Sequence, residues 1–387
     1  MAASAVWVLL HVGAHWFDQL DVRVYRMGAR ALLSGSGLYS TVEPTTGLPF
    51  TYPPFAAAAM IPLAWLPTPV AGLVVGITSC LALARIAHLC VTRVAPLPRL
   101  EPGAATWLVL AVGMLSEPVA STLWFGQVNL VLTWLVLEDL TRPPGRMSGI
   151  ATGLATAVKL VPGVFLVWAW LAGRSGTALR GMLAFIATGA LAAATFWNDS
   201  ALFWSGMFAD AGHVGGIPYQ GNQSVLGVAA RLLGTAAPPA AVHLVGATAL
   251  TCALGLGAWF ARRGEAGRGL VLAGIGGLLA SPISWSHHWI WWLPMACVLA
   301  ADAAARRPGA RWLLVATLLV FLVRPLWWPS PVGDAALHFS GVEQLLTAAY
   351  ALWAVAVLAW HVWIWIGERR SGTQGTDEAS RAAHAGS

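Results

Sequence analysis

The sequence predicts an all-α polytopic membrane protein, and three observations lead there. Hydrophobic residues make up 58% of the chain and charged residues only 10%, against about 25% charged in a soluble domain. Apolar stretches recur along the chain and approach or exceed the ~20 residues that cross a bilayer. They are too continuous for the alternating pattern of a β-barrel, and a span that is not a barrel must satisfy its backbone as helix.

In order, the stretches are 3–17, 54–66, 70–92, 103–116, 127–139, 148–158, 160–172, 178–197, 240–260, 269–280, 289–302, 312–325 and 342–366. Several are shorter than a full crossing and read as tilted, re-entrant or half-helices. Together they predict about 11–13 transmembrane helices in one domain, 1–370. The first stretch lacks a basic n-region and a clear cleavage site, so it reads as a retained helix. The polar, Gly/Ser/Ala-rich tail 371–387 reads as disordered and cytoplasmic.

Basic residues gather in short loops, Arg142 to Arg146, Arg174 to Arg180, Arg262 to Arg268 and Arg306 to Arg311, and in Arg369-Arg370. The positive-inside rule places these in the cytoplasm. It assigns the net charge of +6 to membrane topology instead of nucleic-acid binding. The opposite loops, Trp124 to Asn129, Trp197 to Ser224, Ser281 to Trp289 and Trp327 to Ser340, are rich in Trp, His, Asn, Gln and Gly and face outward. One count stays open. With Arg93 to Arg99 inside and Asp21 outside, residues 53–92 cross an odd number of times, yet the pattern looks like two crossings split at Leu66 to Pro69. Either one of these is interfacial or 148–172 is a single span. Cys80, Cys90, Cys252 and Cys297 all lie in apolar segments without a CxxC pair, which suggests neither disulfides nor zinc.

Chemistry-bearing residues collect on the outer side. Asp18 and Asp21 follow the first apolar run in a chain with only 16 acidic residues. A carboxylate at a membrane edge is a functional candidate and a potential proton acceptor, although Asp18 is also placed to cap a helix. Val24, Met27, Ala31 and Leu32 suggest an interfacial helix ended by Gly35. Tyr52 precedes two prolines at a helix start. Gln127 and Asn129 read either as a cap or as sugar ligands. Lys159 lies inside an apolar stretch, at a cost of ~2.5–3.5 kcal/mol unless it pairs or reaches water. Pro162 suggests a helical hairpin with its tip at the outer face, where Lys159 either snorkels or holds a phosphate. Gln220 to Ser224 offers amides for hydroxyls, or a turn with Ser224 as N-cap. His287 and His288, among Trp285, Trp289 and Trp291, can donate to a phosphate or orient a carboxylate. No further His or Cys stands at helical ligand spacing, so no metal is expected.

These motifs in order, Asp21-Val-Arg-Val-Tyr25, Gly37-Leu-Tyr39, Pro49 to Pro54, Gly126-Gln-Val-Asn129, Lys159-Leu-Val-Pro162, Gly221-Asn-Gln-Ser224 and Ser281 to His288, resemble glycosyltransferase family 87. Its members are polyprenol-phosphate-mannose-dependent α-mannosyltransferases of the GT-C superfamily, and the actinobacterial ones build phosphatidylinositol mannosides, lipomannan and lipoarabinomannan. The resemblance implies a GT-C fold, a polyprenyl-phosphate-mannose donor, a glycolipid acceptor, α-(1→2) linkage with inversion, no cofactor or metal, and an active site on the outer face of the plasma membrane. It makes Asp21 the base and His287 and His288 catalytic. Lys159 and Arg23 become donor-phosphate ligands, and Tyr25, Tyr52, Gln127, Asn129, Asn222, Gln223 and Trp285 substrate-binding residues. Asp18 remains a second candidate base. The competing readings are a transferase using another polyprenyl-phosphate sugar and a lipid or sugar transporter, for which no convincing internal repeat is found.

Overall fold

The computed structural model describes residues 19–97, 100–209, 215–329 and 337–385, with side chains through Arg370. Asp18 and the first apolar stretch lie outside the described residues.

Helix α1 (Leu20–Ser34) buries Val22, Val24, Tyr25, Ala29 and Leu32 at helical spacing, and Gly35 ends it in the left-handed region at φ 67°, as the sequence predicts. Arg26 and Arg30 reach across to the chain that follows. Arg26 Nε donates to Leu63 O at 3.1 Å, Arg30 Nη2 to Ala64 O at 3.0 Å, and Arg26 also meets Thr68 Oγ1. Those carbonyls lie at the end of α3 (Ile61–Ala64), which follows α2 (Pro54–Ala59) directly and where a helix end leaves acceptors free. At 1.5 Å per residue these helices rise only about 9 and 6 Å, far short of the ~30 Å hydrocarbon core. Residues 53–92 therefore cross once, through α4 (Thr68–Leu89) and its π-helical extension Cys90–Val94. Of the two ways to close the count, these lengths favour the interfacial reading.

α5 (Pro102–Leu115) and α6 (Glu117–Phe125) form a pair bent by 67°. α7 (Asn129–Leu140) leads to the hairpin of α8 (Ile150–Val158) and α9 (Gly163–Leu171), interrupted at Lys159–Pro162 as expected. Each arm has nine residues and rises about 14 Å, too short for either arm to cross a membrane by itself. α8 lies against α10 (Ser175–Thr195) so closely that a Cβ at Gly153 would stand 2.1 Å from Gly181 O. There follow α11 (Trp197–Trp204), α12 (Val225–Leu233), α13 (Ala241–Arg262), α14 (Ala266–Ala280), a 3-10 turn Ser286–Trp291, α15 (Trp292–Ala304), α16 (Ala310–Val323), α17 (Gly341–Thr347) and α18 (Ala349–Ala385). Where the sequence reads as disordered beyond 370, the backbone of α18 continues as helix; Ala, Glu and Arg there are good helix formers.

Among the described residues, five helices are long and apolar enough to cross a membrane, six if the bent pair is one span. The chain is a multi-pass, all-helical membrane protein. The other apolar stretches among the described residues are helices of partial length, and several of them line the site.

The bundle has two chemically different ends. Glu138 near the end of α7 takes Arg85 (2.6 Å), Arg93 (3.1 Å) and Arg142. Arg268 at the start of α14 takes Asp302 (2.6 Å) and Glu265 (2.6 Å). The other ends of the same two helices, Asn129 and Ser281, lie at the cavity and its adjoining cleft described next, about 14–20 Å away along the helices. The arginines and the chemistry-bearing loops thus occupy opposite ends.

Candidate active site

A cavity of about 580 Å³ opens between the first turn of α1, the Tyr52-Pro53 entry to α2, the hairpin tip and residues 207–209, 215–221 and 281–288. That volume lies within the range of small-molecule sites. Asp21 lines it because it stands in the first turn of a helix whose apolar face is buried. The Gln127 amide lies beside the Asp21 carboxylate and favours its charged form, and its Oε1 accepts from Tyr25 Oη (2.9 Å) and Tyr52 Oη (3.3 Å). The two tyrosines thereby fix which way the amide points.

Facing this group is Lys159, which breaks α8 in an extended conformation (φ −148°, ψ 126°). Its Nζ donates to Asn129 Oδ1 at 3.0 Å and lies 3.0 Å from His288 Nε2. The ring of Tyr52 stands 5.4 Å away, a cation–π contact. Asn129 Nδ2 and Thr122 Oγ1 donate to His287 O, at 3.1 and 3.2 Å, which holds the histidine turn on α6 and α7. His287 packs its ring on Phe125 at 5.4 Å and on His288 at 4.8 Å.

Burial pushes the Asp21 carboxyl up to about 7, against the opposing pull of Lys159 and the Gln127 amide. Burial, with Lys159 adding to it, holds both imidazoles well below their usual range. Neutral His288 therefore accepts from the Lys159 ammonium through Nε2 and carries its own proton on Nδ1. The arrangement is a proton acceptor poised near neutrality opposite a buried cation, with room for a ligand between them. Off Lys159 and His288 opens a second, narrow cleft of about 50 Å³, walled by Leu132, Val136, Val161, Phe165, Leu278 and Trp291.

Residues 50–284 match the family model for glycosyltransferase family 87. The chain is 33% identical over 385 residues to the polyprenol-phosphate-mannose-dependent alpha-(1-2)-phosphatidylinositol mannoside mannosyltransferase of Mycolicibacterium smegmatis, across 92% of this chain and 86% of that protein. The chain belongs to glycosyltransferase family 87. This glycosyltransferase is also 33% identical over 378 residues to the corresponding phosphatidylinositol pentamannoside mannosyltransferase of Mycobacterium tuberculosis, across 95% of this chain and 86% of that protein. Among solved structures it is similar to apo ArnT from Cupriavidus metallidurans, at 18% identity and a TM-score of 0.34 over 93% of this chain and 78% of that one, too distant to bear on the site.

The structure brings together most of the residues singled out in the sequence of this family 87 chain. Asp21, Tyr52, Gln127, Lys159, Trp285, His287 and His288 line the cavity, while Tyr25 and Asn129 support it through Gln127 and Lys159. Three residues stand elsewhere. Arg23 turns from the cavity, on another face of α1 than Leu20, Asp21 and Val24, and its Nε lies 3.5 Å from the buried Glu43 carboxylate. Asn222 and Gln223 are fully buried. Asn222 donates to Ile217 O and Pro282 O and accepts from the N–H groups of Ser224 and Ser284. Gln223 donates to Gln220 O and Thr347 O and accepts from Tyr350 N. Their amides are spent on joining loops, so neither faces a substrate. Ser224 caps α12 by accepting from Gly227 N at 3.0 Å, the plainer of its two readings. Asn129 makes no cap bond and serves Lys159 instead.

Two residues escaped the sequence reading. Glu117 is a buried acid between apolar stretches, and an ionisable group at membrane depth is itself a signal. Trp327 lines the cavity but stands among many interfacial tryptophans, and nothing local marks it out.

Proposed function

We propose that this glycosyltransferase moves mannose from polyprenyl-phosphate-mannose to a glycolipid of the phosphatidylinositol mannoside, lipomannan or lipoarabinomannan class. It forms an α-(1→2) linkage, on the outer face of the plasma membrane. The single observation that carries this reading is the opposition of Asp21 and Lys159 across one cavity in a family 87 chain. The names of the mycobacterial relatives supply the donor and acceptor class.

An acceptor hydroxyl attacks C1 of the β-linked mannosyl phosphate from the face opposite the phosphate. The new C1–O bond forms as the C1–O(phosphate) bond breaks, which inverts the anomeric centre. Asp21 takes the hydroxyl proton, and polyprenyl phosphate leaves with the bonding pair. That leaving group is weakly basic and needs no carboxylic acid behind it. Lys159, oriented by Asn129 and His288, meets the charge that develops on it. The ammonium does what a divalent cation does in other transferases, so the proposed reaction requires no metal. The apolar cleft beside Lys159, about 50 Å³, has room for the first few carbons of a prenyl chain. The direct test supplies labelled polyprenyl-phosphate-mannose and a phosphatidylinositol mannoside to membranes containing the protein. A product whose new mannose is released by an α-(1→2)-specific mannosidase supports the reading; label transferred only from another lipid-linked sugar overturns it.

A further inference from the structure

One buried carboxylate takes no part in this chemistry. Glu117, 2% exposed, stands at the bend between α5 and α6. Its Oε1 accepts from Ser121 Oγ (2.7 Å), Ser286 Oγ (2.8 Å) and Trp327 Nε1 (2.9 Å), and its Oε2 from Tyr350 Oη (2.7 Å). A carboxylate this deep is tolerated only when its oxygens are well supplied with donors. Here the donors come from α6, the histidine turn, the segment after α16, and α18, so one side chain ties four parts of the bundle together.

Two of those donors belong to the cavity wall. Ser286 precedes His287, and Trp327 lines the cavity. The Trp327 ring lies 6.1 Å from that of Tyr219, which lies 5.9 Å from that of Trp285. The backbone at Gly221 approaches this cluster so closely that a Cβ would stand 2.8 Å from the Tyr219 ring and 3.3 Å from Trp327. Tyr219 nevertheless stays 46% exposed. Lys159, Val161, Ser281 and His288 line both the cavity and the apolar cleft, whereas Tyr219, Trp285 and Trp327 line the cavity alone. The aromatic wall is therefore separate from the lipid-side cleft.

We propose that Tyr219, Trp285 and Trp327 form the subsite for the acceptor's sugar, and that Glu117 is the positioning residue that holds this platform in register with the histidine turn. The proposal rests on the reading of the chain as a mannosyltransferase with a glycolipid acceptor. Ring faces carry negative charge density, and the C–H face of a pyranose presents the complementary positive one. A sugar stacked there exposes its hydroxyls to the cavity that Asp21 lines. Because one carboxylate holds both Trp327 and Ser286, platform and histidines keep a fixed spacing.

The test uses the full chain in lipid nanodiscs, with radiolabelled octyl α-mannoside as a binding probe and transfer kinetics in parallel. Trp327→Ala is expected to raise the octyl mannoside Kd and the acceptor KM about tenfold or more, with donor KM within about twofold. Trp327→Phe keeps a ring but deletes the N–H that Glu117 holds, and is expected between wild type and Trp327→Ala. Glu117→Gln, which turns one acceptor into a donor, is expected to follow Trp327→Phe in acceptor KM; a purely structural role would lower the melting temperature without separating the two KM values. Unchanged probe binding and acceptor KM in Trp327→Ala overturn the subsite while the transfer reading stands. Trp327-dependent probe binding in a wild type that transfers no mannose supports the sugar site and overturns the transfer reading.

Discussion

Replacing Lys159 by alanine tests the electrostatic half of the mechanism. The ammonium holds Asn129 and His288 at 3.0 Å each and borders the space where a phosphate would sit. A unit charge about 4 Å from it, at an effective dielectric constant near 20, interacts by about 4 kcal/mol. Removal of one preorganised donor costs a comparable ~2.7–4 kcal/mol. The mannosyl phosphodiester carries one negative charge and the departing polyprenyl phosphate gains a second as the bond breaks. The loss therefore falls on both donor KM and kcat. Initial rates with labelled donor, titrated in nanodiscs, should show kcat/KM lower by about 10²–10³. Lys159→Met, which keeps the stem, should fall equally, and millimolar methylamine should restore part of the activity of Lys159→Ala. A variant within about threefold of wild type, with donor KM unchanged, refutes the reasoning.

Other expectations follow from the same geometry. The base acts deprotonated and its carboxyl sits at about 7, so kcat/KM should fall about tenfold per pH unit below that value, and fall again above about 8, where the Lys159 ammonium, lowered by burial, loses its proton; an acid limb below pH 5 would contradict it. Because the folded-state pKa is raised above the ordinary 3.8, folding stability declines as pH rises from about 4 through about 7. Asp21→Asn should thus melt higher than wild type at pH 8, with the two converging near pH 4; a lower-melting variant at pH 8 would speak against the buried charge. Asn222→Ala leaves the Ser224 and Ser284 N–H groups and the Ile217 carbonyl short of partners, while Pro282 O keeps Ser224 Oγ, at ~1–3 kcal/mol for each left unsatisfied. Its melting temperature should drop while the donor KM of the surviving fraction stays put. Transfer should survive excess EDTA, and loss of activity restored by Mg²⁺ or Mn²⁺ would count against Lys159 as the acting cation.

Much of this architecture is legible in the chain because its physics is local. Gly35 ends α1 where an apolar stripe runs out, and Lys159 and Pro162 mark a broken hairpin. Hydropathy alone could not separate the short helices at 54–64 from a crossing, since both are apolar and proline-flanked; the arginines of α1 that bind the end of the second are remote in sequence. Asn222 and Gln223 carry the right groups for sugar hydroxyls, and only the fold reveals that backbone has already taken them. Arg23 sits two residues after Asp21, a spacing that puts it on another face of the helix, beside Glu43. Glu117 gathers donors from residues up to 233 positions away, so no window of sequence could show what it holds.

The account turns on Asp21 as the base. The deciding measurement compares wild type with Asp21→Asn in nanodiscs, following label from polyprenyl-phosphate-mannose into a phosphatidylinositol mannoside, with donor binding measured alongside. The account predicts robust transfer by wild type and a loss of about 10²–10⁴ in the variant, with the donor still bound. Full turnover by Asp21→Asn would contradict it.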